Sequence, residues 1–393
     1  MRSVEPTRFI APEVGKVIKG PGKWGFYVFV PAPIPRKLLL DGDTVLALSR
    51  ADTAIGRLAG AGRLLPNPHL LVNPYMTWEA VASSGIEGTQ TSVSEVLEAN
   101  ATGQSLPGSD VREVQNYIAA LTEGLRRLAE IPLCLRFLRE VHAVLMRGVR
   151  GQERQPGEFR TSPNWIGSPT DTPDNATFVP PLPGDMRRSL DDLEQFLNED
   201  VPLPVLIRCA LLHYQFETIH PFLDGNGRLG RLLAVFFLVQ QEVLPQTLLY
   251  LSPYFEGHRS EYYERLQAVR EQGCIQEWLQ FFLTAAAVQA ADAVARAERL
   301  GDVRERYRRE LAATGSRSRA GEVVDLMLDN PYITVARVQK ALGVTQPGAL
   351  SLLRRIEQRG WLQDRGTSGK GGRVVWVAPE VLCVIEEVGP PSR

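Results

Sequence analysis

Residues 220–231 read His-Pro-Phe-Leu-Asp-Gly-Asn-Gly-Arg-Leu-Gly-Arg. They stand between two apolar segments, Leu203 to Ile219 and Leu232 to Val239. Both flanks have the composition of buried helices. The polar stretch between them is therefore a tight loop wedged between two core elements. That constrains the chain to a mainly α fold with this loop at its centre. Gly225 and Gly227 let the backbone turn sharply and aim its N–H groups at one spot. Asn226 can add a side-chain donor. The helix that follows points its positive end at the same place. Arg228 and Arg231, three apart, share one face of its first turns and can grip phosphate with paired charge-assisted bonds. Asp224 is a hard oxygen ligand suited to Mg2+ bridging phosphates. His220 is a base that can act near neutral pH.

These residues resemble the signature of the Fic family, H-x-F-x-[DE]-G-N-G-R-x-x-R, at every specified position. The resemblance implies a Fic helical bundle and an AMP transferase, moving AMP from ATP to a protein hydroxyl and releasing pyrophosphate. Upstream, Ser83, Glu87 and Gly88 match the [ST]-x-x-x-E-[GN] inhibitory motif that many Fic proteins carry. A Glu87 carboxylate reaching Arg231 would fill the guanidinium fork that otherwise holds the γ-phosphate. ATP would then bind with its α-phosphate out of line. The plainer alternative is that Glu87 caps or pairs locally on the surface.

A chain of 393 residues is long enough for two or three domains and a sizeable core. Its net charge of -1 argues against bulk attraction to nucleic acid or membrane. The four cysteines, Cys134, Cys209, Cys274 and Cys383, show no C-x-x-C spacing, and three have helical, apolar surroundings. They suit a reducing compartment, so a cytoplasmic location is expected. The histidines lack zinc spacing. The N-terminus is not patterned as a signal peptide, and the apolar run near the loop is too short to span a bilayer.

Residues 1 to about 45 are proline-rich and read as an extended arm, with Tyr27 to Pro31 as one extended piece. Helical patterns follow at Thr44–Leu65, Tyr75–Ser83, Val111–Leu128 and Leu133–Met146. Asn164 to Gly167 and Ala176 to Pro181 flank a turn-rich loop and read as a β-hairpin. In Fic proteins such a hairpin is the flap that holds the target as an added strand, which places Ile166 and Phe178 at the docking edge. The alternative is a plain surface hairpin. Met186–Leu197 and Leu203–Thr218 are further helices. His213 and His142 read as core histidines satisfied by backbone groups.

Past the loop, Leu249 to Ala268 resembles the Fic segment lining the adenosine pocket, with Tyr250 and His258 as contacts. His258 stands where the family often has asparagine. Cys274 to Arg299 reads as a long helix, and the charge run Glu298–Arg309 as a solvated helix face. Thr314 to Ser318 signals a linker. Three short helices and a pair of strands, Trp361-Leu362 with Val374–Val377, then suggest a winged helix. Thr345 is its third helix's N-cap, with Pro347 near the start. Arg354, Arg355, Arg359, Lys370 and Arg373 could meet DNA phosphates. Glu357 and Asp364 interrupt that patch, so protein contact or homodimerisation ranks ahead of DNA binding.

The expected organisation is an N-terminal region with the inhibitory motif to residue 110, a Fic domain over 111–300, and a linker helix plus winged helix over 301–393. The expected partners are ATP, with Mg2+, and a protein bearing a Ser, Thr or Tyr hydroxyl, with no membrane. Three alternatives stay open. One is transfer of another phosphate-containing group, one is AMP removal, and one is a DNA-binding regulator that senses nucleotide.

Overall fold

The computed structural model describes residues 5–20, 25–64, 69–103, 109–168, 170–243, 249–313, 319–368 and 373–387. Its helices are α1 (Gly42–Leu64), α2 (His69–Ile86), α3 (Val93–Thr102), α4 (Asp110–Leu128), α5 (Leu135–Leu145), α6 (Pro183–Asn198), α7 (Val205–Ile219), α8 (Asn226–Gln240), α9 (Ser252–Gly257), α10 (Arg259–Gln272), α11 (Ile275–Ala313), α12 (Ala320–Asp329), α13 (Val335–Leu342), α14 (Gln346–Glu357) and α15 (Pro379–Glu386). The strands are β1 (Gly15–Lys19), β2 (Tyr27–Pro31), β3 (Tyr332–Thr334), β4 (Gln363–Ser368) and β5 (Arg373–Val377). The fold is mainly α, as its apolar periodicity predicts.

At the centre lie α7 and α8, packed on each other and enclosed by α2, α4, α5, α6 and α11. Every residue of α7 from Leu206 to Ile219 is buried. A helix buried along its whole length needs neighbours all round, and its buried polar groups, Arg208, His213, Gln215 and Glu217 among them, need partners there. The α4–α8 contact is close because α4 presents Gly124 to Phe236: a Cβ there would sit 2.6 Å from Phe236 Cε1. Gly124→Ala is therefore expected to destabilise the fold by about 1–3 kcal/mol through overpacking, despite alanine's better helix propensity. Urea unfolding checks this; an unchanged midpoint would mean the helices separate freely.

The N-terminal arm contains more structure than expected. β1 and β2 form an antiparallel pair, with Val17 opposite Phe29. Val28 and Phe29 are buried, and Phe29 N–H donates to Val179 O at 3.0 Å. Chain beyond the hairpin is fixed on α6, where Arg36 pairs with Asp192 at 2.7 Å and also with Glu199.

α2 starts earlier than Tyr75 and runs through Pro74. The ring forfeits one helical hydrogen bond. Tertiary contacts offset it: Asn73 bonds Asp329 of α12, and the Arg296 guanidinium lies 4.2 Å from the Trp78 ring centroid. Arg296 also donates to Ile385 O at 2.6 Å and Val384 O at 3.2 Å, at the C-terminal end of α15. A cation there meets the negative end of the helix. α2 is thus braced from the C-terminal part of the chain.

α11 is longer than the sequence suggests. It continues through the charge run, which is solvated on one side only: Leu300, Val303, Tyr307 and Leu311 are buried on the other. By length and composition alone it could cross a bilayer, yet it packs along α1 and α7. The 314–318 linker reading lies outside the described residues. Beyond it, α12, α13 and α14 adjoin a three-stranded sheet ordered β3-β5-β4, a winged-helix-like unit. Thr345 Oγ1 caps α14, accepting from Gly348 N–H at 3.4 Å. The first wing strand begins at Gln363 rather than Trp361. Trp361 is instead stacked on Tyr307 of α11, with ring centroids 4.0 Å apart. β3 escapes sequence reading because its three residues run directly into α13. Of the cysteines, all four are free, but only Cys209 is buried.

Candidate functional site

α7 ends on His220, whose φ of 49° is left-handed, and α8 starts after Gly225 at φ 74°. A β-carbon costs about 1–2 kcal/mol in that region, so other contacts must hold His220 there. Phe222 anchors the loop between them. It is fully buried and stacked on the His142 ring, with centroids 3.8 Å apart. His142 Nδ1 accepts from Gly157 N–H at 2.8 Å, so its proton is on Nε2, which donates to Asp224 O at 2.9 Å. Burial pushes His142 down to about 4, which keeps it in that neutral state. His142 is therefore a brace for the loop, as its apolar surroundings suggest. His213 is likewise satisfied, by Gly230 O at 3.0 Å and Tyr262 Oη at 2.9 Å.

Asn226 faces inward rather than toward a ligand. Its Oδ1 accepts from Phe222 N–H and its Nδ2 donates to Phe222 O, both at 2.8 Å. The expected side-chain donor is engaged in closing the loop, so only its backbone N–H remains to face a phosphate. Asp224 stays partly exposed and accepts from Gly225 N–H at 2.7 Å. One hard carboxylate, with the remaining ligands drawn from phosphate and water, fits Mg2+.

The arginines are buried and already partnered. Arg231 Nε donates to Ser83 Oγ at 2.8 Å; its Nη2 donates to Ser83 O at 2.8 Å and to Glu87 Oε1 at 2.7 Å. Glu87 and Ser83 thus converge on one guanidinium from the C-terminal end of α2. Gly227 makes room: a Cβ there would collide with Glu87 Oε1. Gly88, at φ 93°, turns the chain away just after the carboxylate. Burial raises the Glu87 carboxyl, but Arg231, helped by Arg228 and His220, more than cancels this and holds it below the usual carboxylate range. Arg228 sits 3.4 Å from Glu113 Oε2 of α4 and 4.0 Å from Asp224 Oδ1. Glu113 also accepts from Thr89 Oγ1, one residue past Gly88, at 2.9 Å.

His220 is depressed to about 3, by burial first and then by Arg160 and Arg270; Glu87 and the nearby Glu217 backbone oppose this. Its Nδ1 is buried with no hydrogen-bond partner among the described residues. The imidazole is a neutral acceptor at physiological pH. One turn earlier, the buried Glu217 carboxyl is pushed up to about 7 by burial, and its Oε1 lies against Gly230.

The two extended pieces expected to form the flap meet in a single bridge. Ile166 N–H donates to Phe178 O at 2.8 Å and Phe178 N–H to Ile166 O at 3.1 Å. Asn164 Nδ2 reaches Phe222 O at 3.1 Å, joining the flap to the loop. Phe178 does not face outward as a docking residue should. It is buried, with the Arg270 guanidinium 3.9 Å from its ring centroid and Phe29 at 6.0 Å. Ile166 remains only half-buried. Tyr250 is buried in the core rather than on an open wall. His258 is exposed and stacked on Tyr254, with centroids 4.1 Å apart.

Sequence reasoning missed Glu79, Glu113, Arg160 and Arg270. Glu79 is buried on α2, accepting from Tyr117 Oη at 2.7 Å and Ser252 Oγ at 2.5 Å. A carboxylate inside an apolar stripe is the signal that could have found Glu79 and Glu113.

Two family profiles match in tandem on this geometry: the Fic/DOC family N-terminal profile over residues 45–126 and the Fic/DOC family profile over 132–238. Over these residues, just under half of its length, the chain matches the Fic/DOC family. The protein adenylyltransferase Fic of Aedes aegypti is 29% identical over 208 residues, 51% of this chain and 38% of that protein. Its counterpart in Drosophila erecta is 28% identical over 206 residues, again 51% and 38%. The chain thus spans well under half the length of the curated relatives it matches. A Fic family protein from Desulfovibrio desulfuricans G20 superposes with a TM-score of 0.55 at 20% identity, over 88% of this chain and 98% of that one. That likeness covers the fold beyond the Fic segments as well.

Proposed function

We propose that this Fic protein is an adenylyltransferase that moves AMP from ATP to a Ser, Thr or Tyr hydroxyl of a protein, itself included, and that Glu87 restrains it. The observation that carries the reading is the neutral His220 imidazole set beside a helix start whose Arg231 is held by Glu87 and Ser83. A phosphate-gripping arginine with a carboxylate in its fork is a site with its ligand's place taken.

In the released enzyme, Arg231 grips the γ-phosphate and Arg228 the β-phosphate. Backbone N–H groups at Gly225, Asn226 and Gly227 face the charge that develops on the α-phosphate. His220 takes the proton as the target oxygen bonds to the α-phosphorus and the bond to the β-phosphate oxygen breaks; pyrophosphate leaves. Asp224 would hold Mg2+, which when bound would supply charge neutralisation. Ile166 presents the flap edge to the target strand, and His258 with Tyr250 behind it forms the adenosine side. Phe178 seats the flap from below.

We assign residues 1–110 to the inhibitory region, 111–300 to the catalytic domain and 301–393 to the helix and winged-helix-like unit. For that unit we favour protein contact or dimerisation over DNA, since Arg359 lies on the Trp361 ring at 5.3 Å rather than on an open face. Unpaired cysteines support a cytoplasmic setting.

The test is incubation of wild type and Glu87→Gly with α-labelled and, separately, γ-labelled ATP. Protein should retain label from the first and none from the second. Retention of the γ label would replace AMP transfer by phosphorylation.

A further inference from the structure

Arg160 is completely buried, and no carboxylate pairs with it among the described residues. Its donors all meet backbone carbonyls. The main-chain N–H reaches Pro221 O at 2.9 Å, Nε reaches His220 O at 2.9 Å, and Nη2 reaches Ile219 O at 3.2 Å. Nη2 also reaches Pro181 O at 2.6 Å, and Nη1 reaches Ser162 O at 3.2 Å. The first three acceptors are consecutive: Ile219 ends α7, and His220 and Pro221 follow it. The last two are the opposite feet of the flap. A buried cation without a counterion is costly unless fixed dipoles replace one. Here the negative end of α7 does so: its terminal carbonyls lack helical partners and point at the guanidinium.

We propose that Arg160 is a positioning residue for the transfer reaction, locking the base His220 in its left-handed turn and fixing the flap in register with it. The inference rests on His220 being the base and the flap holding the target. Only a guanidinium has the planar fork to satisfy carbonyls of two separate segments at once. Lysine at this position could reach one segment, not both. The same cation faces the His220 ring together with Arg270 of α10; Glu87 beyond α2 is the acidic group that opposes them, with the Glu217 backbone.

The experiment uses full-length Glu87→Gly protein, alone and with Arg160→Lys or Arg160→Gln. Both variants should hold ATP within about twofold of the parent, yet AMP transfer should fall about 100-fold, in kcat rather than in KM for ATP, as for an ångström-scale misplacement. Arg160→Gln also removes a charge that disfavours protonated imidazole, so its acid limb should move to higher pH. Arg160→Lys keeps the charge and should leave that limb in place. A rate that falls only as far as the folded fraction falls, with both acid limbs unmoved, overturns the proposal. Hydrogen exchange provides a readout independent of activity. The amides of His220, Ile166 and Phe178 should exchange faster together in Arg160→Lys, while those of α8 do not. Faster exchange in the flap alone, with His220 unchanged, overturns it too. If the Glu87→Gly parent incorporates no AMP, the transfer reading fails, and the exchange result still decides whether Arg160 ties the two segments.

Discussion

With Glu87 replaced by glycine to free the site, His220→Ala is expected to cut AMP incorporation by about 100- to 10,000-fold and to leave ATP affinity nearly unchanged. The two effects separate because the imidazole has no place among the groups proposed to bind phosphate. Those are the helix start and the arginines of α8, while His220 ends α7 on the other side of the loop. Isothermal titration with ATP and single-turnover labelling measure the two quantities. Loss of ATP binding in His220→Ala would mean the ring shapes the cradle and is not simply a base. The pH profile carries a second expectation. Burial, Arg160 and Arg270 push the ring down to about 3, so the free enzyme keeps its base form far below the ordinary 6.5. The acid limb of kcat/KM should therefore not report a normal imidazole. Such a low value also makes a weak base. The negative phosphates of bound ATP take over the place of Glu87, which raises the ring, so the limb in kcat should lie above that in kcat/KM.

The parts of this site legible in the sequence are those built from neighbours in the chain. The loop from His220 to Arg231 is visible because two mostly apolar runs leave a polar segment nowhere to go but a turn. Phe222, the one aromatic residue in that segment, anchors it in the core. What the sequence hides is pairing across long separations. Asn226 has the residue type of a ligand-binding donor, yet it closes its own loop on Phe222. Phe178 has the spacing of a flap residue, but the Arg270 guanidinium and the Phe29 ring draw it inward. Arg160 sits in a short loop, where an arginine ordinarily means solvent, and only the folded chain brings five carbonyls around it. Pro74 stops the apparent helix in one dimension; contacts from α11 and α12 carry it through in three. In each case a local rule gives way to burial or to polar groups that need partners.

Glu87→Gly should raise AMP incorporation about 10- to 100-fold. A hydrogen bond to a charged group is worth about 1.5–3 kcal/mol net, and about 1.4 kcal/mol is a tenfold change in the share of molecules with the fork open. Ser83 still accepts two bonds from Arg231 in that variant, so Arg231 stays oriented while its second face opens. Ser83→Ala removes only the hydroxyl acceptor and should activate less. Glu87→Gln separates charge from backbone freedom: if charge is what blocks the γ-phosphate, it should activate nearly as well as glycine. Protonation is not a route to release. The Glu87 carboxyl lies below its usual range, so the ion pair is complete above that range and is lost only as pH falls through the lowered value. Wild-type activity should therefore stay low across about pH 5 to 8, where histidine switches operate. Removing the carboxylate also leaves a buried guanidinium short of a counter-charge, and the apo variant should melt earlier than wild type. ATP supplies the missing anion, so its stabilising shift should be larger in the variant than in wild type. Equal ATP-induced shifts in the two proteins would show that Glu87 does not compete with the nucleotide, and inhibition would have to act elsewhere.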